Sequence, residues 1–354
     1  MKILVCPDSF KGSLSAKEVA DTISTALLEK FPNVMILQIP LADGGEGTTD
    51  IVKTSLFPNE IKVSAHDPLG KLINVGFHID ITGKKAFIES ARVIGLPLLT
   101  TEERNPLKTS SKGLGEVIQH AIKRGCNEIT VSLGGTATSD GGMGMLEVLS
   151  QIDTHKIRFK AICDVNNPLL GNNGAVEVFA RQKGATESDL PILEKRLEYF
   201  IGVLKKKGLC SDKNTTRPGA GAAGGLGFAF QTILKAKTFS GIDYVLEITD
   251  FINKTKGVDL IITGEGKIDS QSLMGKVLSG VLRIACNENI PVVAVSGLVE
   301  NKDVLLTSGI KEVFPISDPK LSQEENMKPE NTKKNIKKAI ETMLQSNIFQ
   351  QNKN

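Results

Sequence analysis

The chain has 354 residues, of which 40% are hydrophobic and 23% charged, the composition of an ordinary soluble globular protein with room for two domains. Its net charge of +3 is too small to imply a nucleic-acid or membrane-surface partner. The five cysteines (Cys6, Cys126, Cys163, Cys210, Cys286) are scattered and odd in number, which argues for reduced thiols and against a disulfide frame. No apolar run approaches a membrane span, and the start lacks the apolar stretch and cleavage site of a signal peptide, so a cytoplasmic location is expected.

Ile3 to Cys6 is a short continuous apolar run, as expected of a strand buried on both faces. A polar loop follows, and Ser15 with Glu18 reads as the capping box of a helix whose inner face carries Val19, Ile23, Ala26 and Leu27. Val34 to Ile39 reads as the next strand, so the chain opens as β-loop-α-β with a parallel sheet. From Ile61 to Glu89, short apolar segments alternate with turns such as Asp67-Pro68-Leu69-Gly70, the pattern of an antiparallel meander. Helix and strand then alternate again: a helix over Ser111–Arg124 and strands over Ile129–Leu133, Val258–Thr263 and Pro291–Ser296. A helix covers about Val277–Glu288, and Asn331 caps the last helix.

Parallel-type strands at both chain ends predict an α/β fold of two domains with a cleft between them. Residues 1–60 and 257–349 would build one mainly parallel, doubly wound sheet, and residues 61–256 an inserted domain with a mixed sheet. Residues 350–354 would be a frayed tail.

Six clusters of glycine and acidic residues lie where strands should end and helices begin, the edge of an open α/β sheet where ligands bind. They are Pro7–Ser13, Ala42–Thr48, Gly134–Gly142, Cys163–Pro168, Pro218–Gly225 and Thr263–Ser272. Small residues opening a helix present free amide groups and a positive dipole end to an anion. The third and fifth clusters have that character, and the others are rich in Asp and Glu. A carboxylate beside a phosphate is repelled by about 4 kcal/mol at ~4 Å in a moderately polar site, so several of them require a cation. Mg²⁺ with a nucleotide meets that need. Singly, each cluster has a plainer reading: a glycine turn is a turn, Asp269 and Ser13 cap helices, and Lys11 is a solvated lysine. Six in succession at strand ends are harder to set aside.

Two motifs fail on context. Gly219-Ala220-Gly221-Ala222-Ala223-Gly224 matches G-x-G-x-x-G, but no strand precedes it, so a nicotinamide-dependent dehydrogenase is the weakest reading. No Walker A sequence is present, and the four histidines have no metal-ligand spacing.

Taken in order, the clusters resemble type I glycerate kinases. The resemblance is carried by Pro7-Asp8-Ser9-Phe10-Lys11-Gly12-Ser13-Leu14-Ser15-Ala16, Ala42 to Thr48, Gly134 to Gly142, Cys163 to Leu169, Gln182-Lys183-Gly184-Ala185, Pro218 to Gly225, Thr263 to Ser272 and Gly275-Lys276-Val277. It implies a two-domain kinase that phosphorylates D-glycerate with ATP and Mg²⁺, to the 2-phosphate in preference to the 3-phosphate. The chain departs from the family in the short stretch between Asp140 and Asp164, of which Leu146–Ile162 is kept, and at Ala180-Arg181 and Leu278. A catalytically impaired nucleotide-binding relative is therefore the alternative expectation.

Candidate roles follow from the needs of phosphoryl transfer, which are positioning and charge neutralisation. Asp8 or Asp269 would accept the hydroxyl proton, and Lys11 or Lys267 would offset charge on the moving group. Asp43, Asp164 and Glu265 are the candidate Mg²⁺ ligands. Backbone and hydroxyl groups of Gly134, Gly135, Thr136, Thr138 and Gly141, or of Gly219, Gly221 and Gly224, would hold phosphate. Ser9, Asp43, Glu46 and Arg92 are the candidate glycerate contacts, Arg92 through the carboxylate or else as a structural salt bridge. No nucleic-acid or membrane partner is expected, and a homo-oligomer is possible on the sequence.

Overall fold

Ile3, Leu4 and Val5 are fully buried on an interior strand of a parallel sheet in the computed structural model, which describes residues 1–43, 48–273 and 275–346. In chain order the strands among these residues are β1 (Lys2–Val5), β2 (Met35–Gln38), β3 (Asn59–His66), β4 (Leu72–Ile79), β5 (Lys85–Glu89), β6 (Glu128–Ser132), β7 (Arg158–Ile162), β8 (Lys237–Phe239), β9 (Leu260–Ile268), β10 (Val292–Val299) and β11 (Ile310–Pro315). They form two sheets, and the chain divides into two compact units, residues 1–55 with 240–354 and residues 56–239.

The first unit holds a five-stranded sheet in the order β11-β10-β9-β1-β2, every pair parallel. Alternate residues of each strand feed opposite cores. Ile3, Val5, Leu260 and Ile262 pack with the helices Ala16–Lys30 and Pro329–Gln345, whereas Leu4 and Ile261 pack with the helices Gly241–Ile248 and Val277–Asn287. Both faces are covered, which is why these strands read as unbroken apolar runs. The Ser15–Glu18 capping box is present, and Val19, Ile23, Ala26 and Leu27 are all buried.

The second unit holds the sheet β3-β4-β5-β6-β7-β8. Its first two pairings are antiparallel, as the meander over 61–89 implies, and the remaining three are parallel. The helix Lys112–Lys123 lays Leu114, Val117, Ile118 and Ala121 against Phe77, Ile88, Ile129 and Val131.

Three readings of the sequence are corrected. Residues 240–256 belong to the first unit, because Ile242, Val245, Leu246 and Phe251 bury themselves with Leu4, Ile261 and Val281. The last helix starts at Pro329 with Lys328 as N-cap, and Asn331 lies within its first turn. Proline at the first helical position sacrifices an amide that has no partner anyway, and this outweighs the capping preference of Asn331. The sixth cluster begins as strand: Thr263 to Ile268 continue β9, with Gly264 opposite Val295 and Lys267 opposite Leu298. A Cβ at Gly264 would lie 2.7 Å from the Val295 carbonyl oxygen, so this glycine serves close strand packing and not a turn. The expected tail over 350–354 lies outside the described residues.

Candidate active site

From β1 the chain passes to β2 on one side, and the later strands β9, β10 and β11 stack on the other. The order 2-1-3-4-5 has its switch point between β1 and β9, and ligands of such sheets bind beyond the carboxyl ends there. Cys6 N donates to Ile262 O (2.9 Å) and Asp8 N to Gly264 O (2.8 Å), which carries Asp8 past the end of β1 alongside β9. Leu41 N donates to Pro7 O (2.9 Å) and brings Ala42 and Asp43 to the same edge. Glu265 stands on β9 itself.

A cavity of about 840 Å³ opens on these residues. Asp8, Ser9, Asp43 and Glu265 line it together with Lys11, Lys267 and Lys276, and Phe10, Leu298, Ile316, Pro319 and Met327 give it an apolar wall. Lys11 is at the tip of a tight turn closed by Phe10 and Leu14, whose backbones exchange two hydrogen bonds of 2.8 and 3.0 Å. Gly12 in that turn has φ +76°, a conformation that a side chain would strain.

The three carboxyl groups feel one another. Burial pushes Asp8 up to about 7, Asp43 and Glu265 add to the push, and the Ser9 amide, donating to Oδ1 at 2.6 Å, opposes it. Glu265 is also raised, first by burial and further by Asp43. Against this, Leu278 N donates to its Oε1 (3.2 Å) and Ser272 Oγ to its Oε2 (3.0 Å). This basin of acids would accept a cation. Among the described residues no group of three His, Cys, Asp or Glu side chains could enclose a metal alone. Mg²⁺ does not require one, since it binds through one or two carboxylates and completes its shell with water and phosphate oxygens. The donor set fits that ion.

Lys267 is half-exposed and pairs with Glu300 (3.1 Å) and Asp269 (3.3 Å), which raise its pKa. Asp269 accepts from Ser272 N at 3.2 Å and caps the turn that follows β9. Glu46 lies outside the described residues.

The other three clusters interlock within the second unit. Gly141 N donates to Gly224 O (3.0 Å) and Gly221 N to Asn167 O (2.9 Å). A Cβ at Gly224 would lie 2.0 Å from Thr138 O, and one at Gly221 would lie 2.2 Å from Pro168 O. These glycines of the G-x-G-x-x-G match permit loop to touch loop. The residues before them form a helical turn, Asp212–Thr215, so the strand of a dinucleotide fingerprint is missing. Asp140 ties the third cluster to the helix Lys112–Lys123, accepting from Ser111 N and Ser111 Oγ (both 2.8 Å) and from Gly142 N (3.0 Å). Asp164 is exposed, two residues beyond β7. Arg92 is engaged by Glu60 (3.2 Å) and Glu89 (3.8 Å) and would have to leave them to hold a substrate carboxylate. Lys183, buried beneath the third cluster, escaped the residue-by-residue reading. The one signal was its place in Gln182-Lys183-Gly184-Ala185, where a lysine precedes a glycine.

The α/β fold and an acid-lined cavity at the switch point of its parallel sheet are the framework of a small-molecule enzyme. The model of the glycerate kinase family matches residues 3–152 and 149–347. Glycerate 2-kinase of Escherichia coli (strain K12) is 38% identical over 89% of this chain and 90% of its own. Glycerate kinase of Bacillus cereus is 38% identical over 95% of this chain and 97% of its own. The crystal structure of a candidate glycerate kinase 2 from Salmonella typhimurium LT2 superposes with a TM-score of 0.83 at 34% identity and covers 99% of both chains. The chain belongs to the glycerate kinase family. No helix among the described residues is long and apolar enough to cross a membrane.

Proposed function

We propose that this protein transfers the γ-phosphoryl group of ATP to the 2-hydroxyl of D-glycerate with Mg²⁺. The observation that carries this reading is the convergence of Asp8, Asp43 and Glu265 in one lysine-rimmed cavity at the switch point of the parallel sheet. The 2-hydroxyl is favoured because the similar Escherichia coli protein is a glycerate 2-kinase.

Asp8 is the proton acceptor in this reading. A carboxyl held near 7 accepts a proton more readily than an ordinary carboxylate and is still half ionised at neutral pH. Asp269 is the second candidate, although its engagement with Ser272 N gives it a capping role. Lys11 and Lys267 offset charge on the moving group, and Ser9 hydrogen-bonds the acceptor, with Glu46 and Arg92 as further contacts. Asp43 and Glu265 hold Mg²⁺, with Asp164 as the third candidate. When bound, the ion neutralises phosphate charge and orients the transferred group. The Gly134–Gly142 loop takes an anionic group of the reactants, and Gly219, Gly221 and Gly224 support it by close packing.

The short connection between Asp140 and Asp164 does not argue for an impaired relative. It folds as the helix Met143–Leu149, a turn and β7, and β7 pairs with β6 over five residues. A coupled assay of ADP release with D-glycerate tests the proposal. Turnover that stops with EDTA is expected, and ATP binding without turnover would overturn it.

A further inference from the structure

Lys183 is 3% exposed, and its ammonium lies beneath the Gly134–Gly142 loop. Nζ donates to Thr138 O at 2.6 Å and to Thr136 Oγ1 at 3.4 Å. Among the described residues no carboxylate stands within ion-pair distance of it. Asp140 acts on it through charge, but the Asp140 oxygens are taken up by Ser111, Gly142 and Gly144. Burial pulls the ammonium down to about 8, with Asp140 opposing. A buried charge without a direct counter-ion is destabilising, and an apolar side chain of the same size would serve packing better.

The backbone is nevertheless arranged to put it there. The turn Arg181–Lys183 ends at Gly184, whose φ is +93°. A Cβ at Gly184 would lie 2.2 Å from the Arg104 carbonyl oxygen. The loop above has unmet polar groups of its own. Thr138 and Ser139 are 0% and 1% exposed, and their hydroxyls have no hydrogen-bond partner among the described residues. Native proteins rarely leave buried hydroxyls so. A buried cation and two buried hydroxyls around one glycine-rich loop share a common deficit, which is an acceptor carrying negative charge.

We infer that Lys183 is a positioning residue whose buried charge fits the Gly134–Gly142 loop to an anionic oxygen of the reactants, a nucleotide phosphate or the glycerate carboxylate. This rests on the kinase reading above. Lys183 holds the Thr138 carbonyl and keeps positive charge behind the loop, and Thr138 and Ser139 supply donors.

The test uses the full chain with Lys183→Met and Lys183→Gln. Glutamine loses the charge and still offers a donor, on a side chain one atom shorter, whereas methionine loses both. Both variants should melt at or above the wild-type temperature. Both should bind MgADP at least tenfold more weakly by calorimetry, or raise the KM for D-glycerate tenfold, with a smaller change in kcat. A loss in the ADP arm identifies a phosphate, and a loss in the glycerate arm a carboxylate. Wild-type values in both arms for Lys183→Gln overturn the inference. Thr138→Val covers the case in which neither lysine variant folds. A more stable variant with unchanged affinity for both reactants overturns the inference, and weakened binding supports it. Wild-type ADP release with unaltered variant affinities sinks this inference alone. Absence of wild-type ADP release sinks the kinase reading before any variant is made.

Discussion

Asp8→Asn should make the protein more stable and less active at once. Asparagine keeps the acceptor for the Ser9 amide, so the change removes charge and little else. The Asp8 carboxyl is raised from 3.8 to about 7, chiefly by burial and secondarily by Asp43 and Glu265. A raised carboxyl contributes stability that is fully present below the unfolded pKa and is lost as pH climbs to the folded one. Three units correspond to roughly 4 kcal/mol, and partial solvent contact reduces this to about 2. At pH 8 the asparagine variant should therefore melt higher by about 4–8 °C, and the gap should close toward pH 4. Mg²⁺ on Asp43 and Glu265 should narrow the gap at pH 8, because it relieves the carboxylate repulsion that only the wild type carries and so stabilises it more than the variant. ADP release should fall at least a hundredfold. Melts at pH 4, 6 and 8 with and without Mg²⁺, read beside the coupled assay, decide the matter. A variant that is less stable at pH 8, or that turns over normally, would refute the reasoning.

Other perturbations separate fold from chemistry. Gly224→Ala should destabilise the second unit by more than about 2 kcal/mol, since the new methyl meets Thr138 O at a φ of +69°. Gly83→Ala, also at positive φ but in open space, should cost about 1 kcal/mol, and urea melts compare the two. Glu265→Ala leaves Ser272 Oγ and Leu278 N without their buried acceptor and should cost roughly 2–4 kcal/mol as well as activity. Glu265→Gln should recover most of the stability and little of the turnover. Ser15→Ala breaks the capping box and should cost about 1 kcal/mol, with kcat and KM unchanged in the steady-state assay.

What the sequence made legible was local and periodic. Ser15 with Glu18 marked a helix start because both halves of the capping box lie within four residues. Ile3 to Cys6 marked a doubly covered strand because both faces meet apolar helices. Less legible were features set by distant partners. Gly264 and Gly266 looked like turn residues, and only the pairing of β9 with β10 reveals them inside a strand. Residues 240–256 carry no mark of their unit until Phe251 and Ile242 find Leu4 and Val281. At the site, acidic and glycine residues beside strand ends were visible one by one, but which loops meet depends on strand order. Lys183 shows the limit most plainly. A lysine is ordinarily exposed, and nothing short of the backbone contact between Gly184 and Arg104 says that this one is buried.

The phosphorus NMR spectrum of the product formed from D-glycerate and MgATP bears most directly on the central claim. A phosphomonoester coupled to the single proton on C2, appearing with ADP and absent for the Asp8→Asn variant, is the predicted result. A spectrum that holds only ATP and its hydrolysis products, from folded wild-type protein, would contradict it.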